Sequence, residues 1–251
     1  MILELTLACN EMCSHCMVDA VPTGRHMSDK TLAKVIHFLM RHENKPNILQ
    51  ISGGEFTLHP SFFSAVMLLA GYLPDTPLIL ESNGSFWFDA DKKQRVKELL
   101  HMSNIVSLQI RTDKRYYPNY ERTIASKDEI EAWDEKAAVL EGEISLVPMG
   151  RAKNLIETNP DKSPQCVNFI MFNKQRDFKT LKEFMDLYNS MGKVCSPMID
   201  VDGNLHAGES CLCKPFAKVT DTNDEIVRGM KAHDFCGKCN LKVNFNNLRT
   251  L

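Results

Sequence analysis

Cys9-Asn-Glu-Met-Cys13-Ser-His-Cys16 places three cysteines at spacing C-x3-C-x2-C, directly after the apolar run from Ile2 to Ala8. Thiolate is the ligand type of iron–sulfur clusters, and close Cys spacing is their usual sequence sign. Three thiolates on one tight loop can hold three irons of a 4Fe–4S cluster and leave the fourth iron open to a small molecule. Zinc is the competing reading, but a structural zinc takes four ligands. His15 is the nearest fourth donor, and its place between Cys13 and Cys16 makes a tetrahedron hard to close.

A second set lies near the C-terminus: Cys195, Cys211, Cys213, Cys236 and Cys239. Cys236-Gly-Lys-Cys239 is a compact C-x2-C pair. With Cys195 and Cys213 it makes four thiolates, enough for a fully ligated 4Fe–4S cluster or a zinc ion. Cys211 is the alternative second ligand. Whichever thiol is left over, and Cys166 with it, is either a catalytic hydrogen-atom donor or a buried spare thiol of the kind common in cores.

The elements that must position these residues follow a rhythm. Ser28 is placed to cap a helix with Leu32, Val35, Ile36, Leu39 and Met40 on one face. The spacing predicts strands over Asn47–Ser52, Pro77–Ser82, Asn104–Ile110, Glu143–Val147 and Val167–Phe172. It predicts helices over Pro60–Leu73, from Asp91 and Gln94 to Met102, from Ser126 through Ile130, Trp133 and Ala137, and from Asp177 to Gly192. Six strand–helix units predict an α/β fold, a partial (β/α)6 TIM-like barrel over residues 1–192. Active residues of such barrels lie at the C-terminal ends of the strands, which is where the first Cys loop falls. Residues 193–251 break the rhythm and show no clear strand–helix unit. They read as a small C-terminal iron–sulfur domain, with a hairpin over Pro197–Ala207 turning at Asp202-Gly203.

Other strand ends carry polar signals. Strand two ends in Ser52-Gly53-Gly54-Glu55, where two glycines allow close backbone approach to a ligand and a carboxylate can accept from an ammonium group. Strand three ends in Glu81-Ser82-Asn83-Gly84, and Gln109 and Arg111 end strand four. Pro148-Met-Gly150-Arg151-Ala152 follows strand five.

Taken with the Cys loop, these motifs resemble the radical S-adenosylmethionine (SAM) superfamily. The resemblance spans nearly the whole chain. It implies a SAM-binding 4Fe–4S cluster on Cys9, Cys13 and Cys16, whose electron cleaves SAM to a 5′-deoxyadenosyl radical. It implies that Gly53, Gly54 and Glu55 contact the SAM amino group and that Ser82 and Asn83 lie near SAM. His15 takes a position that is usually Tyr, Phe or Trp, near the adenine. Gln109 and Arg111 replace a common Ser-x-Asp, which leaves room for Arg111 to read a charged substrate group. Arg151 sits in a Pro-x-Gly-Arg-Ala segment seen in relatives with C-terminal clusters, and implies a SAM contact. The tail resembles the short twitch domain, cousin of the longer SPASM domain, and implies an auxiliary 4Fe–4S cluster.

Bulk properties narrow the partners. The 251 residues are 43% hydrophobic and 25% charged, with a formal net charge of −2. That balance gives no basic patch for nucleic acid and no polybasic membrane anchor. The first apolar run is too short for a signal peptide or a membrane span, and nine clustered cysteines suit metal binding in a reducing, cytoplasmic setting. The expected reaction is dehydrogenation or epimerisation at an unactivated C–H bond of a small molecule. Reductant would come from a flavodoxin or ferredoxin. The alternative is maturation of a ribosomally made peptide. No fused leader-binding domain is expected before strand one, which favours the small molecule. A non-catalytic zinc or iron–sulfur interaction protein is the remaining class.

Overall fold

The computed structural model of the protein describes residues 1–16, 18–112, 126–141, 151, 178–191, 197–206 and 214–232. Its first strands and helices alternate: β1 (Ile2–Thr6), α1 (Asp29–Met40), β2 (Leu49–Gly53), α2 (Phe62–Tyr72), β3 (Leu78–Ser82), α3 (Ala90–Leu100), β4 (Ile105–Thr112), α4 (Lys127–Trp133) and β5 (Ala137–Glu141). After these come α5 (Leu181–Met191), β6 (Met198–Ile199), β7 (Asn204–His206), β8 (Ala217–Lys218) and α6 (Asn223–Ala232).

The strands form one sheet in the order β5-β4-β3-β2-β1-β6-β7-β8. Strands β1 to β5 are parallel, each beside its predecessor, which is the winding of a TIM-like barrel. Side chains alternate across this sheet, as the pleat requires. Leu3, Leu5, Leu49, Ile51, Leu78, Leu80, Leu108 and Ile110 are all fully buried on one face. The intervening positions Glu4, Gln50, Ser52, Glu81, Gln109 and Arg111 share the opposite face.

Helix α1 is capped by Ser28 as expected, its side chain accepting from Thr31 N. Leu32, Val35, Ile36 and Leu39 are buried, while Met40 at the last turn is exposed. The cap of α3 is Asp89, which accepts from Lys92 N, rather than the Asp91–Gln94 box. Gln94 instead bonds Glu98 one turn on.

Strand five corrects the sequence reading. The Ser126–Glu129 capping box forms, but α4 stops at Trp133, and Ala137 opens β5 instead of continuing the helix. Two interactions override the helical preference of the Ala pair. Ala137 pairs with Leu108 of β4, and Lys136 Nζ ties the turn to the carbonyls of Leu100 and Met102. Residues 143–147 and 167–172, read as strands five and six, lie outside the described residues.

In the tail, β6 and β7 pair antiparallel as the predicted hairpin. Gly203 has φ of 80° and its N–H donates to Asp200 O at 2.9 Å, the geometry of a three-residue loop with a left-handed glycine. The hairpin joins the barrel sheet, because β6 runs parallel to β1 with Leu3 opposite Ile199. Beyond it, the sequence reading missed α6. A reciprocal Thr222–Glu225 capping box starts that helix.

Candidate functional site

The first Cys loop follows β1. Cys9 and Cys13 are buried, Cys16 is half-buried, and all three are free thiols. The loop is pinned along its length. Cys9 N donates to Val21 O at 3.0 Å, and Cys16 N to Cys13 O at 3.2 Å. Burial, then Glu55 and Cys16, push the Cys9 thiol up to about 11, against hydrogen bonds from Glu11 N and Asn83. Burial, Cys9, Glu11 and Cys16 push Cys13 up to about 12, against a pull down from Arg151. Burial thus favours the neutral thiols, and a bound cation would offset the cost of their thiolates. Among the described residues, no three His, Cys, Asp or Glu side chains close around a single ion.

Gly53 and Gly54 serve the loop rather than open space. A Cβ on Gly53, at φ of 138°, would stand 2.3 Å from Thr6 O. One on Gly54 would stand 2.2 Å from Ala8 O and 3.1 Å from Cys9 Cβ. The missing side chains let Gly54 N donate to Thr6 O at 2.7 Å and Glu55 N to Ala8 O at 2.8 Å. The end of β2 is thereby fastened to the root of the Cys loop.

Glu55 is fully buried, and protein donors surround its carboxylate. Oε1 accepts from Thr57 N at 3.2 Å, Thr57 Oγ1 at 2.7 Å and Ser82 Oγ at 3.0 Å. Oε2 accepts from Ser82 Oγ at 3.0 Å and Asn83 N at 2.7 Å. Burial raises its pKa, and these hydrogen bonds oppose the rise. Asn83 then reaches back to the loop: its Nδ2 donates to Asn10 Oδ1 at 3.0 Å and lies 3.6 Å from Cys9 Sγ. Glu55, Ser82 and Asn83, named separately from the sequence, thus form one connected unit with Cys9.

Arg151 belongs to the same assembly. Its Nε donates to Cys13 O at 2.9 Å, one Nη to Ala20 O at 3.0 Å, and its backbone N to Cys16 O at 3.0 Å. The guanidinium grips the Cys loop, with Asp19 3.9 Å away. His15 sits in the loop, half-buried.

Gln109 and Arg111 lie on β4, on the polar face. Arg111 forms an ion pair with Glu81, and its guanidinium lies 3.4 Å from Gln109 Oε1. Glu81 also accepts from Gln50 Nε2 and, at 2.9 Å, from Ser52 Oγ. The sequence reading gave Gln50, Ser52 and Glu81 no role. The signal was available, as period-2 polar residues in strands whose other face is apolar. Glu4 is a second omission. It is 4% exposed, with a carboxyl raised to about 7 by burial first and by the neighbouring Asp200 next. Asp200 accepts from His206 Nε2 at 2.8 Å.

The remaining candidates, Cys166, Cys195, Cys211, Cys213, Cys236 and Cys239, lie outside the described residues. No described helix is long and apolar enough to cross a membrane.

The family model for the radical SAM superfamily matches residues 3–140. No curated protein matches the sequence. Among solved structures, the fold is similar to that of BtrN in complex with AdoMet and 2-DOIA, at 15% identity and a TM-score of 0.59, covering 95% of this chain and 91% of that one. It is similar to anSMEcpe with bound AdoMet and the Cp18Cys peptide, at 14% identity and a TM-score of 0.57, covering 98% and 86%. It is also similar to Streptococcus suis SuiB bound to S-adenosylmethionine, at 12% identity and a TM-score of 0.50, covering 100% and 72%. At such identities the likeness is one of fold.

Proposed function

The chain belongs to the radical SAM superfamily, and we propose that it abstracts hydrogen from an unactivated C–H bond of a small polar molecule, in a dehydrogenation or epimerisation. The family uses a 4Fe–4S cluster and SAM, and in this reading Cys9, Cys13 and Cys16 hold that cluster. When bound, cluster and SAM supply the hydrogen-abstracting radical.

The observation that carries the substrate class is the polar wall across β2, β3 and β4. Gln50, Ser52, Glu81, Gln109 and Arg111 line one face in a continuous hydrogen-bonded set. Such a wall presents carboxylate, amide and guanidinium groups, which suit hydroxyl or amino substituents of a sugar or aminocyclitol. The pairing of Arg111 with Glu81 keeps the cation oriented toward this face.

Cys195, Cys213, Cys236 and Cys239, with Cys211 as the alternative second ligand, hold an auxiliary 4Fe–4S cluster in this reading. The hairpin expected between Cys195 and Cys211 supports the layout. Four thiolates saturate that cluster, so its role is to accept an electron from a substrate radical or to fix the tail. A leftover thiol at Cys211 or Cys166 would donate a hydrogen atom in an epimerisation. A flavodoxin or ferredoxin would supply the reductant.

The test is deuterium transfer. Anaerobically reconstituted protein is incubated with SAM, reductant and a panel of ring-deuterated sugars and aminocyclitols. Deuterium in the released 5′-deoxyadenosine is expected from at least one of them. Deuterium from a peptide alone would overturn the small-molecule reading in favour of peptide maturation, the kind of ligand with which anSMEcpe and SuiB were solved.

A further inference from the structure

Asn83 has two amide protons, and their directions are fixed. Its Oδ1 accepts from Ser85 N at 2.9 Å, so the oxygen end of the amide is settled by a backbone donor. The NH2 end must then face Asn10 Oδ1 at 3.0 Å and Cys9 Sγ at 3.6 Å. The residue is 7% exposed and Cys9 is 6% exposed, so little water competes for that contact. The backbone on either side is also held. Asn83 N donates to Glu55 Oε2 at 2.7 Å, and Gly84 N to Ser82 Oγ at 2.9 Å. A second donor, Glu11 N, lies 3.4 Å from the same sulfur.

We propose that Asn83 is a tuning residue of the SAM-binding cluster: its side-chain amide donates to the Cys9 thiolate and raises the cluster's reduction potential, while buried Glu55 holds it in place. The inference rests on the reading of Cys9 as a cluster ligand. Reduction adds negative charge to the cluster and its sulfurs. A donor aimed at a ligand sulfur therefore stabilises the reduced form more than the oxidised form. Glu55 acts at one remove, as a positioning residue for the β3 end.

The variants follow from the two ends of the amide. Asn83→Asp keeps an oxygen for Ser85 N, so the turn survives, but sets a carboxylate oxygen where the NH2 faced Cys9. Asn83→Ala removes the donor without adding charge. Both are reconstituted anaerobically in the full chain, and the midpoint of the EPR signal that SAM perturbs is measured by redox titration. That signal belongs to the SAM-binding cluster, which separates it from any other cluster in the chain.

The expected result is a fall in the reduction equilibrium of about tenfold for Asn83→Ala, or ~59 mV for a one-electron couple. Asn83→Asp should fall further. Iron content and the Fe–S vibrations of the oxidised protein report loading independently. A wild-type midpoint in a fully loaded Asn83→Ala variant would overturn the proposal. If only Asn83→Ala loads iron, its midpoint alone decides. If neither loads, a structural role replaces tuning and the proposal falls. A wild-type protein with no SAM-perturbed signal would instead overturn the family chemistry on which the inference rests.

Discussion

Glu4→Gln isolates one buried charge at the seam between β1 and the hairpin. Glu4 is 4% exposed, and its carboxyl is raised from 4.5 to about 7. Burial is the first cause and Asp200 the second; a hydrogen bond from Val201 N and the charges of His206 and Arg25 pull the other way. Folding therefore favours the protonated form. Its contribution to stability is complete below pH ~4.5, where the unfolded chain is protonated as well, and is lost as pH rises through about 7. At 1.36 kcal/mol per unit, the full loss is roughly 3 kcal/mol. For a chain of this size that is a melting shift of roughly 6–12 °C. Glutamine is neutral at every pH and can still accept from Val201 N. Glu4→Gln should then match wild type near pH 4.5 and exceed it by roughly 3 kcal/mol at pH 8. Melting of the two proteins side by side across this range, with the difference taken at each pH, is the assay. A difference that is flat with pH, or that grows toward low pH, would refute the assignment of a raised Glu4.

Three further outcomes are expected. A Cys9→Ala, Cys13→Ala, Cys16→Ala triple variant should lose about four irons and all SAM cleavage while keeping about four irons and sulfides in the tail; zinc in the tail instead, with no iron, would refute the auxiliary cluster. Glu55→Ala leaves the buried donors of Thr57, Ser82 and Asn83 unmet, costing on the order of 2–4 kcal/mol, and should weaken SAM binding about tenfold or more. Wild-type SAM affinity in calorimetry would show that the carboxylate has no part in that site. Arg151→Gln removes the grip on Cys13 O and Ala20 O and should lower iron loading on reconstitution; full loading with unchanged EPR would show that the Cys loop closes without it.

Much of the site was legible because its signals are local. The C-x3-C-x2-C spacing, Gly53-Gly54-Glu55 and Ser82-Asn83-Gly84 all stand where strand ends converge. What was hidden depends on register. The glycines read as access for a ligand, yet the backbone they admit is that of Thr6 and Ala8, which only the β1–β2 pairing brings near. Glu81 pairs with Arg111 because β3 and β4 set Glu81 opposite Gln109, a match that no single-strand pattern specifies. Ala137 continued a helical period from Ile130 and Trp133, and only pairing with Leu108 made it a strand. The Thr222–Glu225 box, by contrast, was readable, and was passed over in a segment assigned to metal-built loops. Glu4 sits inside the apolar run before the Cys loop, and the Asp200 that raises it lies 196 residues further along the chain.

That last pairing changes how the tail relates to the barrel. Leu3 faces Ile199 across β1 and β6, so Asp200 falls beside Glu4, and Glu4 lies opposite Ser52 on β2. Ser52 donates to Glu81, and Glu81 holds Arg111. One row of polar side chains thus runs from the tail hairpin across the strand face that carries the proposed substrate wall. Asp200 is the like charge that raises the Glu4 carboxyl, second to burial, and burial also works against the Asp200 charge, but its hydrogen bonds from His206 and Asn204 outweigh that and hold its pKa low. A proton on Glu4 relieves first the cost of burying its charge at this seam and second the repulsion from the facing Asp200 carboxylate.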